Sequence, residues 1–290
     1  MPSFVDLTWR GEGGLALYAR DYAGSAGPAR CPVVCIHGLT RNSADFEEVA
    51  PWIAAKGRRV LALDIRGRGR SERDPDPSRY HPRVYAGDVI RLLDEAGIAR
   101  AVFIGTSMGG IITMAIAAKR LGAIAAAVLN DVGPVISMHG LNRIKGYVGQ
   151  GRPVETWDDA ADYMKAINGV AFPHNTAADW QAWARRTFRS DANGKIVLDY
   201  DPRIASAIQG AKLKPTSLMA KLLFRRLARN RPTLLIRGGN SDIVGPEEAG
   251  YMRRVAPGMQ YAEVPGVGHA PMLMEPAAQE ALSNFLAHVA

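Results

Sequence analysis

Several short runs of the chain are apolar from end to end: Val33-Val34-Cys35-Ile36, Val60-Leu61-Ala62-Leu63, Ala101-Val102-Phe103-Ile104, Ala125-Ala126-Ala127-Val128-Leu129 and Leu234-Leu235-Ile236. A strand with water on one face alternates apolar and polar residues; a strand covered on both faces has no need to. Helical patterns lie between the runs, as in Val84 to Ala96, where Val84, Val89, Leu92, Leu93 and Ala96 form a stripe that Gly97 stops. Buried strands alternating with helices predict an α/β fold, a mostly parallel open sheet with helices on both faces. With 290 residues, 47% of them hydrophobic, the chain can bury one large core and still carry an insertion.

The strand Ala101 to Ile104 runs into Gly105-Thr106-Ser107-Met108-Gly109-Gly110, and a helical run follows from Ile111 to Arg120. A turn this tight strains the backbone of its serine and leaves no space for bulk nearby, which explains glycines two before and two after it. The serine oxygen then projects beyond the sheet at a helix start, where free N–H groups and the positive end of the dipole favour a developing anion.

A second loop at a strand end is His37-Gly38-Leu39-Thr40. Lying beside the serine's strand, it can offer the N–H of Leu39, together with that of Met108, as an oxyanion hole, and Gly38 lets the backbone approach. His37 reads as a residue that holds its loop by hydrogen bonds rather than as a general base. Asp64-Ile65-Arg66-Gly67-Arg68-Gly69-Arg70-Ser71 reads as a structural turn, its arginines solvated or internally paired rather than an anion site. Asp88 and Asp94 read as exposed helix positions.

The strand-helix rhythm stops after Asn130-Asp131-Val132-Gly133 and resumes at Pro232. The sequence therefore predicts a core of residues 1–133 and 232–290 and a helical cap of 134–231, since so long a stretch is too much for a loop. Thr156-Trp157-Asp158-Asp159 and Thr176-Ala177-Ala178-Asp179 have the form of helix starts closed by a capping box. Thr216 to Arg229 reads as a third amphipathic segment. Trp157, Trp180 and Trp183 either line an apolar pocket or pack the cap helices together.

Beyond the cap, Gly238-Gly239-Asn240-Ser241-Asp242 follows one strand and Gly266-Val267-Gly268-His269 follows the last, Gln260 to Val264. Loops at the carboxyl ends of parallel strands meet at one crevice, so Ser107, Asp242 and His269 can converge. Serine is a poor nucleophile until an imidazole takes its proton, and a carboxylate fixes the tautomer of that imidazole.

Taken with these motifs, the sequence resembles the α/β-hydrolase fold family from Val33 to Val289, the cap excepted. The resemblance rests on His37-Gly38, the Gly-Thr-Ser107-Met-Gly elbow, Gly-Gly-Asn-Ser-Asp242 and Gly268-His269, in the order serine, acid, histidine. It implies Ser107 as nucleophile, His269 as base, Asp242 as acid, and Leu39 and Met108 as oxyanion donors. His37, Gly38, Trp157, Trp180 and Trp183 are the expected wall of the substrate site. Asp131 is the rival acid, because some members place theirs one strand earlier; its position at the head of the insertion suits a turn-capping role instead.

The implied activity is hydrolysis of a carboxylic ester, thioester or lactone with an apolar part, through an acyl-serine. Carbon-carbon hydrolysis, acyl transfer or perhydrolysis on the same triad is the alternative, and a non-catalytic ligand-binding protein of this fold is the alternative of another class. Thr106 before the nucleophile and Ala270-Pro271-Met272 after the histidine differ from the asparagine and tryptophan common in members that cut carbon-carbon bonds.

The remaining features narrow the partners. The net charge of +8 is scattered, with no basic module for nucleic acid. No apolar stretch is long enough to cross a bilayer. Cys31 and Cys35, the only cysteines, sit roughly 13 Å apart if extended, beyond disulfide reach. They read as free thiols in a cytoplasmic protein. The histidine spacing and the lack of a Gly-x-Gly-x-x-Gly turn predict no metal and no cofactor.

Overall fold

A computed structural model describes residues 4–26, 30–149, 154–206 and 216–289. The chain opens with a hairpin, β1 (Val5–Arg10) and β2 (Ala16–Tyr22), paired antiparallel with Trp9 opposite Leu17. Then come β3 (Val33–Ile36), α1 (Val49–Ala54), β4 (Val60–Asp64), α2 (Pro82–Glu95), β5 (Ala101–Thr106), α3 (Met108–Arg120) and β6 (Ile124–Asn130). The cap contains α4 (Met138–Tyr147), α5 (Trp157–Asn168), α6 (Ala177–Thr187) and a small hairpin of β7 (Phe188–Ser190) and β8 (Ile196–Leu198). The chain closes with α7 (Leu218–Ala228), β9 (Thr233–Gly238), α8 (Pro246–Val255), β10 (Gln260–Val264) and α9 (Pro276–Ala287).

Eight strands form one sheet in the order β1-β2-β4-β3-β5-β6-β9-β10. From β4 to β10 every pairing is parallel. The apolar runs supply residues alternately to two cores. Val34, Ile36, Leu61, Leu63 and Phe103 face the layer of α2, α3, α7 and α8, whereas Val33, Cys35, Val60, Ala62 and Ile104 face α1 and α9. All ten side chains are fully buried, and burying a large aliphatic or aromatic one contributes about 1.5–3 kcal/mol. The predicted α/β architecture is therefore what forms.

The insertion departs from expectation at its far end. Segment 216–229 was expected in the cap, but α7 packs along α3, with Phe224 and Leu227 in the main core. Arg226 donates to the Ala117 carbonyl, and Arg231 to those of Leu121 and Ile124, so α7 runs parallel to α3 as a layer helix leading into β9. Amphipathic pattern alone does not say which surface a helix covers.

The cap has a core of its own. Trp180 meets Trp183 edge-on at 5.5 Å, Phe172 meets Trp183 at 4.8 Å, and Tyr163 meets Phe188 at 5.6 Å. Both capping boxes form, Thr156 with Asp159 and Thr176 with Asp179. The cap is stitched to the core through the Arg-rich turn: Gly69 N–H donates to the Asp199 carbonyl at 2.9 Å, and Asp201 N–H to that of Gly67 at 2.7 Å.

That turn is structural, as its sequence suggests. Asp64 accepts from the N–H groups of Ser43 and Arg70. Arg66 is fully buried between Asp74 and Asp88. Asp88 is thus not the exposed position expected of it. It also accepts from Glu12 N–H, and a helix stripe read for apolar residues misses a carboxylate turned inward to meet an arginine. Asp94 does lie at the surface, paired with Arg120. Cys31 and Cys35 are both free thiols. Among the described residues no helix is long and apolar enough to cross a membrane.

Candidate active site

Ser107 follows β5 with φ 51° and ψ −114°, a conformation that non-glycine residues rarely adopt. Three glycines make this possible. A Cβ on Gly105 would sit 2.4 Å from the Gly109 carbonyl carbon, one on Gly109 2.0 Å from the Ile36 oxygen, and one on Gly110 2.4 Å from Val132 Cγ1. The helix start is therefore pressed directly onto β3 and β5. Ser107 N–H donates to the Asn130 carbonyl at 2.9 Å, which ties the turn to the neighbouring strand.

His269, in the loop after β10, brings Nε2 to 2.9 Å from Ser107 Oγ. Its Nδ1 lies 2.8 Å from Oδ2 of Asp131. A neutral imidazole with its proton on Nδ1 donates to Asp131 and accepts the Ser107 hydroxyl proton on Nε2. Asp131 is completely buried. Its Oδ2 also accepts the Ser241 hydroxyl at 2.6 Å, and its Oδ1 the Gly238 N–H at 3.1 Å. Asp131 itself has φ 56°, a second strained residue at the site.

The expected acid, Asp242, is elsewhere. Arg143 on α4 holds its carboxylate at 2.5 and 2.9 Å. Burial alone would raise the pKa of the Asp242 carboxyl; the guanidinium outweighs that and holds it below the usual carboxylate range. Strand register explains the difference. Thr106 on β5 lies opposite Asn130 on β6, so the next residues, Ser107 and Asp131, leave adjacent strands at the same level. Asp242 comes four residues after the end of β9, which is separated from β5 by β6, and an arginine 99 positions away has claimed it.

His37 is fully buried and does not line the cavity. Its Nδ1 donates to the Gly38 carbonyl at 2.6 Å and its Nε2 accepts from Ile65 N–H at 3.1 Å. Burial lowers its pKa to about 4, so it is a neutral brace. Gly38 stands against the nucleophile, a Cβ there falling 3.8 Å from Ser107 Cβ. The buried Arg68 donates through Nε to the Leu39 carbonyl at 3.0 Å while packed over Tyr80 and Tyr85. Sequence reading gave that arginine no part in the site. The N–H of Met108, at the first position of α3, precedes every helical acceptor and is free by position.

A cavity between core and cap opens onto Ser107 and His269. Its apolar wall includes Ile144, Met164, Ile167, Trp183, Leu198 and Met272. Of the three tryptophans expected there, Trp183 alone lines it. Trp180 is buried inside the cap, and Trp157 lies under the Arg185 guanidinium at 3.7 Å, so those two serve the packing of the cap.

Residues 32–276 match the family described as the alpha/beta hydrolase fold. The chain is 31% identical over 249 residues, 84% of either chain, to a 3-hydroxybutyrate-oligomer hydrolase of Cupriavidus necator. It is 28% identical to the sn-1-specific diacylglycerol lipase ABHD11 of Mus musculus, over 90% of this chain and 83% of that one. A crystal structure of an alpha/beta hydrolase from Novosphingobium aromaticivorans superposes with a TM-score of 0.91 at 42% identity, covering both chains completely. The chain belongs to the α/β-hydrolase fold family, and this kinship makes it a hydrolase.

Proposed function

We propose that the protein is a serine hydrolase that cleaves a carboxylic ester, thioester or lactone through an acyl-Ser107 intermediate. The observation that carries this reading is the relay Ser107 Oγ to His269 Nε2 at 2.9 Å and His269 Nδ1 to Asp131 at 2.8 Å. Asp131, rather than Asp242, is the acid of the proposed triad. The relatives from Cupriavidus necator and Mus musculus, an oligomer hydrolase and a lipase by name, support ester chemistry.

In the proposed reaction His269 Nε2 takes the hydroxyl proton as Ser107 Oγ attacks the carbonyl carbon, and the carbonyl electron pair moves onto oxygen. The N–H groups of Leu39 and Met108 meet that oxyanion. Asp131 offsets the imidazolium charge through Nδ1–H. As the tetrahedral centre collapses, the leaving oxygen or sulfur takes the proton from Nε2. Water then repeats the sequence, giving its proton to His269 and releasing the acid and Ser107. A receptor that merely held a ligand would have no use for an imidazole aligned on both a serine and a buried carboxylate.

The test combines covalent labelling with turnover. A fluorophosphonate should label the native protein and leave Ser107→Ala and His269→Gln unlabelled, and p-nitrophenyl esters should be cleaved about 10⁴-fold or more slowly by either variant. Labelling that persists in Ser107→Ala would refute the assignment.

A further inference from the structure

One polar group on the cavity wall has no task in the relay. Tyr147, the last residue of α4, lines the cavity, and its hydroxyl makes no hydrogen bond among the described residues. Burial raises its pKa, so it remains a protonated donor across the neutral range. The two cations whose charge reaches it, Arg143 and Arg41, are each paired bidentately with a carboxylate, Arg143 with Asp242 and Arg41 with Asp45. The surroundings of this hydroxyl are thus close to neutral, and Ile144, Met164, Ile167, Leu198 and Met272 give the wall an apolar stretch.

A donor open to a cavity is hydrated when the cavity is empty, and a substrate that enters must replace the lost water contact or leave the hydroxyl unpaired. An all-hydrocarbon acyl chain cannot replace it. A free carboxylate can, but it gains little from guanidinium groups already neutralised by Asp45 and Asp242, and it would lose its hydration among Ile144, Ile167 and Met164. The chemistry that fits is a neutral acceptor oxygen on an otherwise apolar chain.

We infer that the protein is selective for esters whose acyl chain carries a second, neutral carbonyl, as in acyloxy or oxo acids, and that the Tyr147 hydroxyl donates to it. This substrate class rests on the hydrolase reading above and deepens it. Tyr147 determines specificity and takes no part in bond breaking.

The experiment compares p-nitrophenyl 3-acetoxybutanoate with p-nitrophenyl 3-methylhexanoate, in which methylenes replace the second ester group. Release of p-nitrophenolate gives kcat/KM for each. The native protein should prefer the acetoxy ester about tenfold, and Tyr147→Phe, which keeps the ring and its packing, should bring the ratio near one, mainly through KM. A native ratio near one, or a ratio that survives in Tyr147→Phe, overturns the inference. A separate arm removes the dependence on turnover: calorimetry of methyl 3-acetoxybutanoate with Ser107→Ala and with Ser107→Ala/Tyr147→Phe. If neither aryl ester is cleaved, the ester-hydrolase reading falls. Weaker binding in the double variant then still supports the role of Tyr147, and equal binding overturns it.

Discussion

At the scale of single residues, the centre depends on how Asp131 is held. A carboxylate can align an imidazole only if it is itself fixed, and here Ser241 and Gly238 donate to its two oxygens while His269 takes the remaining direction. Ser241 is itself held by accepting from the N–H groups of Ile243 and Val244. Ser241→Ala should therefore lower kcat about tenfold with little change in KM, the cost of one hydrogen bond to a charged group in the transition state. Steady-state kinetics on any ester the protein cleaves will read this, and an unchanged kcat would remove Ser241 from the account. Nothing about Ser241 stands out in the sequence, where it is one residue of a Gly-Gly-Asn-Ser-Asp loop. Its role comes from the position of β6 beside β9, a relation between strands that one strand's residues do not encode.

At the scale of elements, the serine turn shows why some of the site was legible and some was not. Gly105, Ser107 and Gly109 fall within five consecutive residues, and their constraint is local, so their spacing reveals it. Gly109→Ala should prevent a stable fold or cost about 3 kcal/mol or more, because a Cβ 2.0 Å from the Ile36 oxygen forces α3 away from β3. Thermal unfolding checks this: a melting temperature within a degree or two of the native protein would mean that α3 has room to shift. The acid was harder to read, because the choice between Asp131 and Asp242 rests on register across β5, β6 and β9 and on Arg143 in the cap. The same limit misplaced α7 in the cap and Asp88 at the surface, since each depends on a partner far away in sequence. Periodicity shows that a face is apolar. It does not name the partner.

At the scale of the molecule, cap and core meet at a partly buried charge. Asp199, at the end of the cap hairpin, accepts from Asn42 of the core at 3.1 Å and pairs with Arg189 at 3.2 Å. Burial, followed by the nearby charge of Asp64, raises its pKa to about 6. The unfolded chain gives an aspartate its ordinary value near 4, so between about pH 4 and pH 6 the native state holds a proton that the unfolded chain releases. The ionised carboxylate thus costs the native state stability above pH 6, and that cost fades as the pH falls toward 4. Asp199→Asn should stabilise the protein at pH 8 by on the order of 2 kcal/mol, with the gain shrinking toward zero at pH 4. Denaturant unfolding of both proteins at the two pH values measures it, and a gain that grows toward acid would reverse the assignment of sign.

The central claim is that His269 is aligned by Asp131 and not by Asp242, and it is tested most directly by the kcat of Asp131→Asn and Asp242→Asn on the same ester. Asp131→Asn should lose about 10⁴-fold, as an amide at that position favours the wrong imidazole tautomer, while Asp242→Asn should stay within about tenfold of the native protein. A large loss in Asp242→Asn beside a small one in Asp131→Asn would contradict the relay described here.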